Sequence, residues 1–269
     1  MPQTLTIATI NVNGVRAAHR KGLGDWVRAN QPDIIALQEV RAELADLQKV
    51  VDEIWPEAHI LHDEATAKGR AGVALLSKQA PVASRTELGP DEFDSAGRWL
   101  EGDYVIDGKT VTVVSTYVHA GEVDTPKQIE KYKFLGAMLV RLKELNQPDR
   151  LAVVTGDLNV GHTELDIKNW KGNLKNSGFL PQERAYFDKF FGELGWIDVG
   201  RAAHPDQPGP YTWWSMRGQA FDTDTGWRID YQMATPAMAE KAANYTVHKA
   251  PSWDQRWTDH SPVTVDYTI

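Results

Sequence analysis

Not one cysteine occurs among the 269 residues, which excludes disulfides and thiolate metal sites and fits a reducing cytoplasm. No apolar run approaches the ~18–20 residues of a membrane span, so no membrane partner is expected. No basic flank or cleavage-site pattern precedes the run Leu5-Thr-Ile-Ala-Thr-Ile10, so no signal peptide is expected. Low-complexity stretches and Gly/Ser linkers are also missing, and the expectation is a single domain over residues 1–269. An excess of positive charge is lacking too: 29 Lys and Arg stand against 37 Asp and Glu, a formal net charge of −8. In bulk that argues against nucleic acid. The distribution weakens the argument, because acids crowd residues 87–103 while bases gather at Arg16, His19, Arg20 and Lys21, at Lys68 and Arg70, and at Lys168, Lys171 and Lys175. A carboxylate cluster that binds metal also inflates the negative count without repelling a phosphate once the ion is held.

What is present is a series of short, mostly β-branched runs bounded by turn residues, at 5–10, 33–37, 73–76, 103–106, 110–118, 151–155, 229–234 and 263–268. Helical patterns intervene. Residues 22–29 carry Trp26 as an apolar anchor, and 43–55 carry Leu44, Leu47, Val50, Val51 and Ile54. After an initial proline, 126–145 places Ile129, Tyr132, Leu135, Met138, Leu139, Leu142 and Leu145 in one stripe. Residues 181–194 carry Tyr186, Phe187, Phe190 and Phe191. Strands alternating with amphipathic helices predict an α/β layered architecture. Asn11-Val12-Asn13-Gly14 and Leu158-Asn159-Val160-Gly161 each follow an apolar strand, a pattern that fits two similar halves facing each other.

Polar residues cluster where these strands stop, and a folded sheet gathers strand ends at one rim. Taken singly, each has an ordinary explanation: Gly156-Asp157-Leu158-Asn159 and Asn11 suit turns, Glu39 suits a sheet cap, and a lone His260 suits a structural role. Taken together, Glu39, Asp157 and Asp259, with Asn11 or Asn159 beside them, supply only oxygen ligands, which favours Mg²⁺ or Mn²⁺ over zinc. So few carboxylates leave an open position for substrate. Asp157 is suited to orient or deprotonate water, with the Asn159 amide donating a hydrogen bond to it, and Asp230 to orient the His260 imidazole. Among the late aromatics, Tyr211, Trp214, Phe221, Tyr231, Trp253 and Trp257 read mainly as packing, whereas Trp213 and Trp227 form a candidate slot for a sugar or unstacked nucleotide. Asn169, Asn173 and Asn176, set among lysines, read either as a flexible surface loop or as phosphate contacts.

The chain resembles the exonuclease III class of apurinic/apyrimidinic (AP) endonucleases, within the endonuclease/exonuclease/phosphatase superfamily. The resemblance spans Asn11-Val-Asn-Gly-Val-Arg16, Leu37-Gln-Glu39, Ala71-Gly-Val-Ala-Leu-Leu-Ser77, Tyr117, Gly156-Asp-Leu-Asn-Val160, Gly178-Phe-Leu-Pro-Gln-Glu-Arg184, Gly226-Trp-Arg-Ile-Asp-Tyr231 and Asp259-His-Ser-Pro262. It implies a DNase I-like two-sheet α/β sandwich flanked by helices, with the active site at one end. The implied activity is Mg²⁺-dependent cleavage of duplex DNA 5′ to abasic sites, with 3′–5′ exonuclease and 3′-phosphodiesterase activity, by a monomer.

By the same resemblance Glu39 is the main metal ligand, with Asn11, Asp157 and Asp259 around the ion, and Asp157 aligns or deprotonates the water with the help of Asn159. Tyr117 and His260, the latter oriented by Asp230, bind the phosphate and stabilise its transition-state charge. Arg16, Arg70, Asn173 and Asn176 hold the DNA backbone, and Trp213 and Trp227 wall the abasic-sugar pocket. One departure stands out: the run Tyr117-Val118-His119-Ala120-Gly121 has His119 where the class commonly has proline and Ala120 where it has an Asn or Gln on the phosphate. His119 is therefore expected to take over that DNA contact. The competing readings are a superfamily phosphatase acting on a phospholipid or small phosphoester, and a non-catalytic DNA-binding relative.

Overall fold

A computed structural model describes residues 3–89 and 91–269. The first stretch builds β1 (Thr4–Asn11), α1 (Val15–Lys21), α2 (Leu23–Asn30), β2 (Ile34–Gln38), α3 (Leu44–Ile54), β3 (His59–Asp63) and β4 (Val73–Ser77). The middle adds β5 (Ala83–Arg85), β6 (Trp99–Ile106), β7 (Lys109–Tyr117), α4 (Pro126–Leu145), β8 (Leu151–Asp157), α5 (Trp170–Asn173) and α6 (Pro181–Asp188). The last part holds β9 (Ile197–Asp198), α7 (Val199–Ala203), β10 (Asp230–Ala234), α8 (Pro236–Ala239), β11 (Ala242–Val247) and β12 (Val263–Thr268).

These strands form two six-stranded sheets, ordered β11-β12-β1-β2-β4-β3 and β5-β6-β7-β8-β10-β9. Each sheet has one parallel pair at its centre, β1 with β2 and β7 with β8, and antiparallel neighbours outside it. Read in opposite directions, the two orders correspond strand for strand, with β1 matching β8. Parallel partners end at the same edge, so β1 and β2 deliver Asn11 and Glu39 together, and β7 and β8 deliver Tyr117 and Asp157 together.

Three apolar layers hold this arrangement. Ile7, Leu75, Val113, Val153 and Val265 fill the space between the sheets. Ile10, Leu37, Leu47 and Val51 join the first sheet to its helices, and Val114, Phe134, Met138, Val154 and Phe187 join the second to α4 and α6. The result is the expected two-sheet α/β sandwich with helices outside. A short polar line also crosses the interior: Thr9 Oγ1 donates to Gln38 Oε1 at 3.1 Å, and Gln38 Nε2 donates to Ser115 Oγ at 3.0 Å. It pins β2 to β7 directly below Glu39 and Tyr117. Among the described residues no helix is long and apolar enough to cross a membrane.

Some local expectations need correction. The four strands without a sequence signal, β3, β5, β9 and β11, are the four sheet edges. Edge strands are short or half-exposed, so they lack the apolar run that marks a central strand. Helix α1 was also not foreseen, because seven residues ending in His19, Arg20 and Lys21 carry little periodicity. On α4, Ile129 is 61% exposed; the inward face instead runs through Gln128, Lys131, Phe134, Leu135, Met138, Leu142 and Leu145. Leu44, at the first position of α3, is exposed as well.

Candidate active site

Gly156 explains how Asp157 reaches the rim. A Cβ at position 156 would lie 1.9 Å from the Thr116 carbonyl oxygen, and its φ of +148° suits glycine, so β8 can lie this close to β7 only with glycine there. The next residue, Asp157, is fully buried at the end of the strand. Its Oδ2 accepts from Asn11 Nδ2 at 2.8 Å and from Asn159 Nδ2 at 3.1 Å, while Oδ1 accepts the Asn159 backbone N–H at 2.9 Å. Burial raises the Asp157 pKa to about 8; the attraction of His260 opposes the rise, and the charges of Asp230 and Glu39 reinforce it.

The same Asn11 amide reaches Glu39 Oε1 at 3.0 Å, and Arg41 donates to Glu39 Oε2. Glu39, Asn13 and Asn159 all have positive φ, at 49°, 45° and 48°. Left-handed backbone at non-glycine residues is costly and is retained where the fold enforces it. Tyr117 stands beside them; burial, then the Glu39 and Asp157 carboxylates, raise its phenol pKa, so it is a proton donor at neutral pH.

From the other side, Thr258 Oγ1 donates to the Asn11 carbonyl at 2.9 Å and brings the Asp259-His260 pair to the rim. Asp259 Oδ1 accepts from Asn13 Nδ2 and Oδ2 from Trp213 Nε1, both at 3.0 Å. Burial works against its charge, but His260 and these donors hold its pKa below the ordinary value. His260 Nδ1 lies 2.8 Å from Asp230 Oδ2, and its Nε2 lies 3.7 Å from Asp157 Oδ2. Burial disfavours the imidazolium, yet Asp230 and then Asp157 outweigh it and raise the pKa to about 10. Asp157, Asp230 and His260 have ligand-type atoms within 4.8 Å of one another. The His260–Asp230 bond spends the ring on charge pairing, so the imidazole is a partner to the carboxylates.

The donor set suits a hard divalent ion. Carboxylate oxygens of Glu39, Asp157 and Asp259 are gathered through the side chains of Asn11 and Asn13, with the Asn11 Oδ1 turned to the Asn13 backbone N–H, and the carboxylate repulsion that adds to the burial of Asp157 is what a cation would relieve. Asn159 commits both amide protons, to Asp157 and to the Val118 carbonyl, so its geometry is that of an orienting donor.

Two recesses flank this floor. One, of about 230 Å³, is lined by Arg16, Arg41, Lys68 and Arg70 together with Glu43, Asp46 and Glu64, and Arg41 connects it to Glu39. Arg16 is paired with Asp46 at 2.8 Å, whereas Arg70 has no side-chain partner among the described residues. The other, of about 330 Å³, is lined by Trp213, Trp227, Ile229, Asn173, Asn176, Ser177, Gly178, Ala120, Lys131 and Asn159. Trp213 and Trp227 meet edge to face at 6.1 Å, and Asn176 Nδ2 donates to Asn173 Oδ1 at 2.9 Å.

His119 does not make the contact expected of it. The ring is buried, Nδ1 lies 2.9 Å from Arg98 Nη1, and Nε2 lies 3.0 Å from the Lys127 carbonyl. Burial, then the Arg98 charge, lower its pKa, so the neutral ring donates from Nε2 and accepts at Nδ1. With both nitrogens committed, His119 fastens the loop after β7 to α4. Asn13, Arg41, Arg98, Lys131 and Glu183 were not singled out in the sequence. The one available signal was Lys131, a charge in the inward stripe of α4.

A buried carboxylate–imidazole pair beside clustered oxygen donors, at the lip of a two-sheet sandwich, suits phosphoester hydrolysis. Residues 8–260 match the Endonuclease/Exonuclease/phosphatase family, and the chain belongs to that family of hydrolases. It is 34% identical over 261 residues to the exodeoxyribonuclease of Bacillus subtilis (strain 168), covering 96% of this chain and 98% of that one. An AP endonuclease from Archaeoglobus fulgidus superposes with a TM-score of 0.87 at 28% identity, covering 98% of this chain and 100% of that one. The 3′ phosphatase NExo from Neisseria, bound to a product DNA hairpin, superposes with a TM-score of 0.82 at 25% identity over 98% of this chain and 99% of that one.

Proposed function

We propose that the protein is a DNA-repair nuclease that cleaves the phosphodiester 5′ to abasic sites in duplex DNA. We assign it 3′–5′ exonuclease and 3′-phosphodiesterase activity as well, with Mg²⁺ as the ion and Mn²⁺ as a substitute. The observation that carries this reading is the linked chain Glu39–Asn11–Asp157–His260–Asp230, with an aromatic recess on one side and a basic one on the other. The names of the exodeoxyribonuclease, AP endonuclease and 3′ phosphatase relatives support it.

In this reading Asp157, held by the Asn11 and Asn159 amides, accepts a proton at Oδ from the attacking water. Asn159 holds that carboxylate in orientation through its amide. The His260 imidazolium and the Tyr117 hydroxyl donate to phosphate oxygens as charge builds there. Asn11, Glu39, Asp157 and Asp259 would hold the Mg²⁺, which when bound lowers the charge cost at the phosphate and leaving oxygen. Arg70, Arg16, Asn173 and Asn176 contact the backbone, and Trp213 and Trp227 receive the base-free sugar.

The test is incubation with Mg²⁺ and a duplex containing one abasic analogue, beside 3′-phosphate and undamaged 3′-recessed duplexes. Incision 5′ to the analogue that stops on chelation is expected. Turnover of a phosphoinositide without any incision would overturn the reading in favour of a lipid phosphatase, and duplex binding without turnover in favour of a non-catalytic relative.

A further inference from the structure

Lys131 on α4 and Glu183 on α6 pair at 2.7 Å with both side chains at 0% exposure. A pair taken out of water loses hydration that its mutual attraction barely repays, so stabilisation alone is a weak explanation for it. Its connections suggest another. Glu183 Oε1 accepts from Lys131 Nζ, from Gln128 Nε2 at 3.0 Å and from Ser177 Oγ at 3.1 Å. Its Oε2 accepts the backbone N–H groups of Gly178 at 2.7 Å and Leu180 at 3.0 Å. Lys131 Nζ also donates to the Asn159 carbonyl at 2.9 Å, fixing a residue whose φ is 48°.

Gly178 completes the connection. A Cβ there would lie 2.9 Å from the Trp227 ring and 3.2 Å from the Asn159 carbonyl oxygen, and its φ of +96° is a glycine conformation. The segment held by Glu183 is therefore packed directly on the wall of the aromatic recess, and the residue held by Lys131 is the one that orients Asp157.

We propose that Lys131 and Glu183 are positioning residues that join Asn159 and the Gly178–Trp227 wall into one rigid unit, so that a sugar seated in the recess is set in register with Asp157. The proposal rests on the phosphodiesterase reading of the site. Both side chains are fully buried, so the pair acts through the segments it holds. Diesters whose sugar fills the recess depend on the pair, and a small diester without a sugar depends on it far less.

The test compares Lys131→Met and Lys131→Arg with the native protein. Amide hydrogen exchange is followed over residues 157–161 and 176–180, with kcat and KM for abasic duplex and for bis(4-nitrophenyl) phosphate in Mg²⁺. In Lys131→Met both segments should gain exchange together. The kcat for abasic duplex should fall about 10–100-fold, the scale of a small misplacement of reacting groups, and small-diester turnover should fall by a clearly smaller factor, since Asn159 orients Asp157 for both substrates. Lys131→Arg should recover much of the loss. Faster exchange in only one segment, or equal loss on both substrates in proportion to the unfolded fraction, overturns the proposal. Should Lys131→Met not fold, Ser177→Ala removes one donor to Glu183 and is expected to loosen the same two segments; no change in either overturns it. If the native protein incises no abasic DNA, the functional reading fails, and the exchange data still decide whether the two segments are coupled.

Discussion

The Asn11 amide donates to Asp157 at 2.8 Å across the gap between the two sheets, although 146 positions separate them in the chain. The same nitrogen reaches Glu39 at 3.0 Å. One side chain thus ties the end of β1 to the residue after β2 and to the end of β8. The correspondence of β1 with β8 in the two sheet orders makes this meeting a consequence of topology.

Asp157→Asn should lower turnover of abasic duplex about 10²–10⁴-fold, as for loss of a positioned base, with little loss of duplex affinity. The amide is nearly the same size but has a single acceptor oxygen, so it keeps either the Asn11 and Asn159 side-chain contacts or the Asn159 backbone one. Single-turnover kinetics beside binding in chelator separate the two effects, and equal losses in both would remove the general-base role. Glu39→Gln should raise the Mg²⁺ concentration for half-maximal rate; an unchanged metal dependence would take Glu39 out of the coordination sphere.

Protonation should couple to metal binding. In chelator, Asp157 and His260 hold protons more tightly in the folded protein, with pKa values near 8 and 10 against ordinary values of 3.8 and 6.5. Stability from each is complete below the ordinary value and is lost as pH rises through the folded one. These two groups should therefore lower the melting temperature of the metal-free protein most clearly between about pH 7 and 10, because below that the lowered pKa values of His62, His119 and His248 act in the opposite direction. Mg²⁺ should flatten the lower part of that decline and release protons near neutral pH, because cation and proton compete for Asp157. Calorimetry in two buffers of different ionisation enthalpy measures this directly. Identical heats in both would mean that Asp157 is already ionised without metal.

The central parts of this molecule were legible because their signals are local. β1, β2, β7 and β8 are apolar runs that end in polar clusters, so both the sheets and the residues at their rim could be read directly. The edges were not: β5 spans Ala83–Arg85 and β9 only Ile197–Asp198, and neither has an interior face long enough to create a pattern. His119 was assigned outward because a histidine after a strand in a phosphate-binding site invites that role. Its burial depends on Arg98, just ahead of β6, and on the Lys127 carbonyl in α4, partners that no local pattern reveals. Lys131 shows in the sequence only as a charge in the inward stripe of α4, because its counter-charge lies 52 positions away.

Trp213 serves two purposes that substitution can separate. Its ring walls the recess and its Nε1 donates to Asp259 at 3.0 Å. Trp213→Phe keeps an aromatic wall and removes the donor, so it should chiefly raise the Mg²⁺ concentration for half-maximal rate and spare selectivity for the abasic site. Trp227→Ala removes wall area without touching Asp259 and should hurt abasic incision more than 3′-end digestion. Equal damage to both activities in Trp227→Ala would return that ring to a packing role.

Affinity for duplex should fall as salt rises, because each phosphate contact releases counterions. Arg70 and Arg16 line one recess but differ in what they have to give up. Arg70 is exposed and has no side-chain partner among the described residues, whereas Arg16 must leave or share Asp46. Arg70→Ala should reduce the slope of log affinity against log salt by about 1, the value for one lost phosphate contact. Arg16→Ala should reduce it by less, since its charge is already offset, and Asp46→Asn should increase affinity by freeing Arg16. Fluorescence anisotropy over a salt series in chelator measures all three. Equal slopes for the native protein and Arg70→Ala would place the DNA backbone elsewhere on the surface.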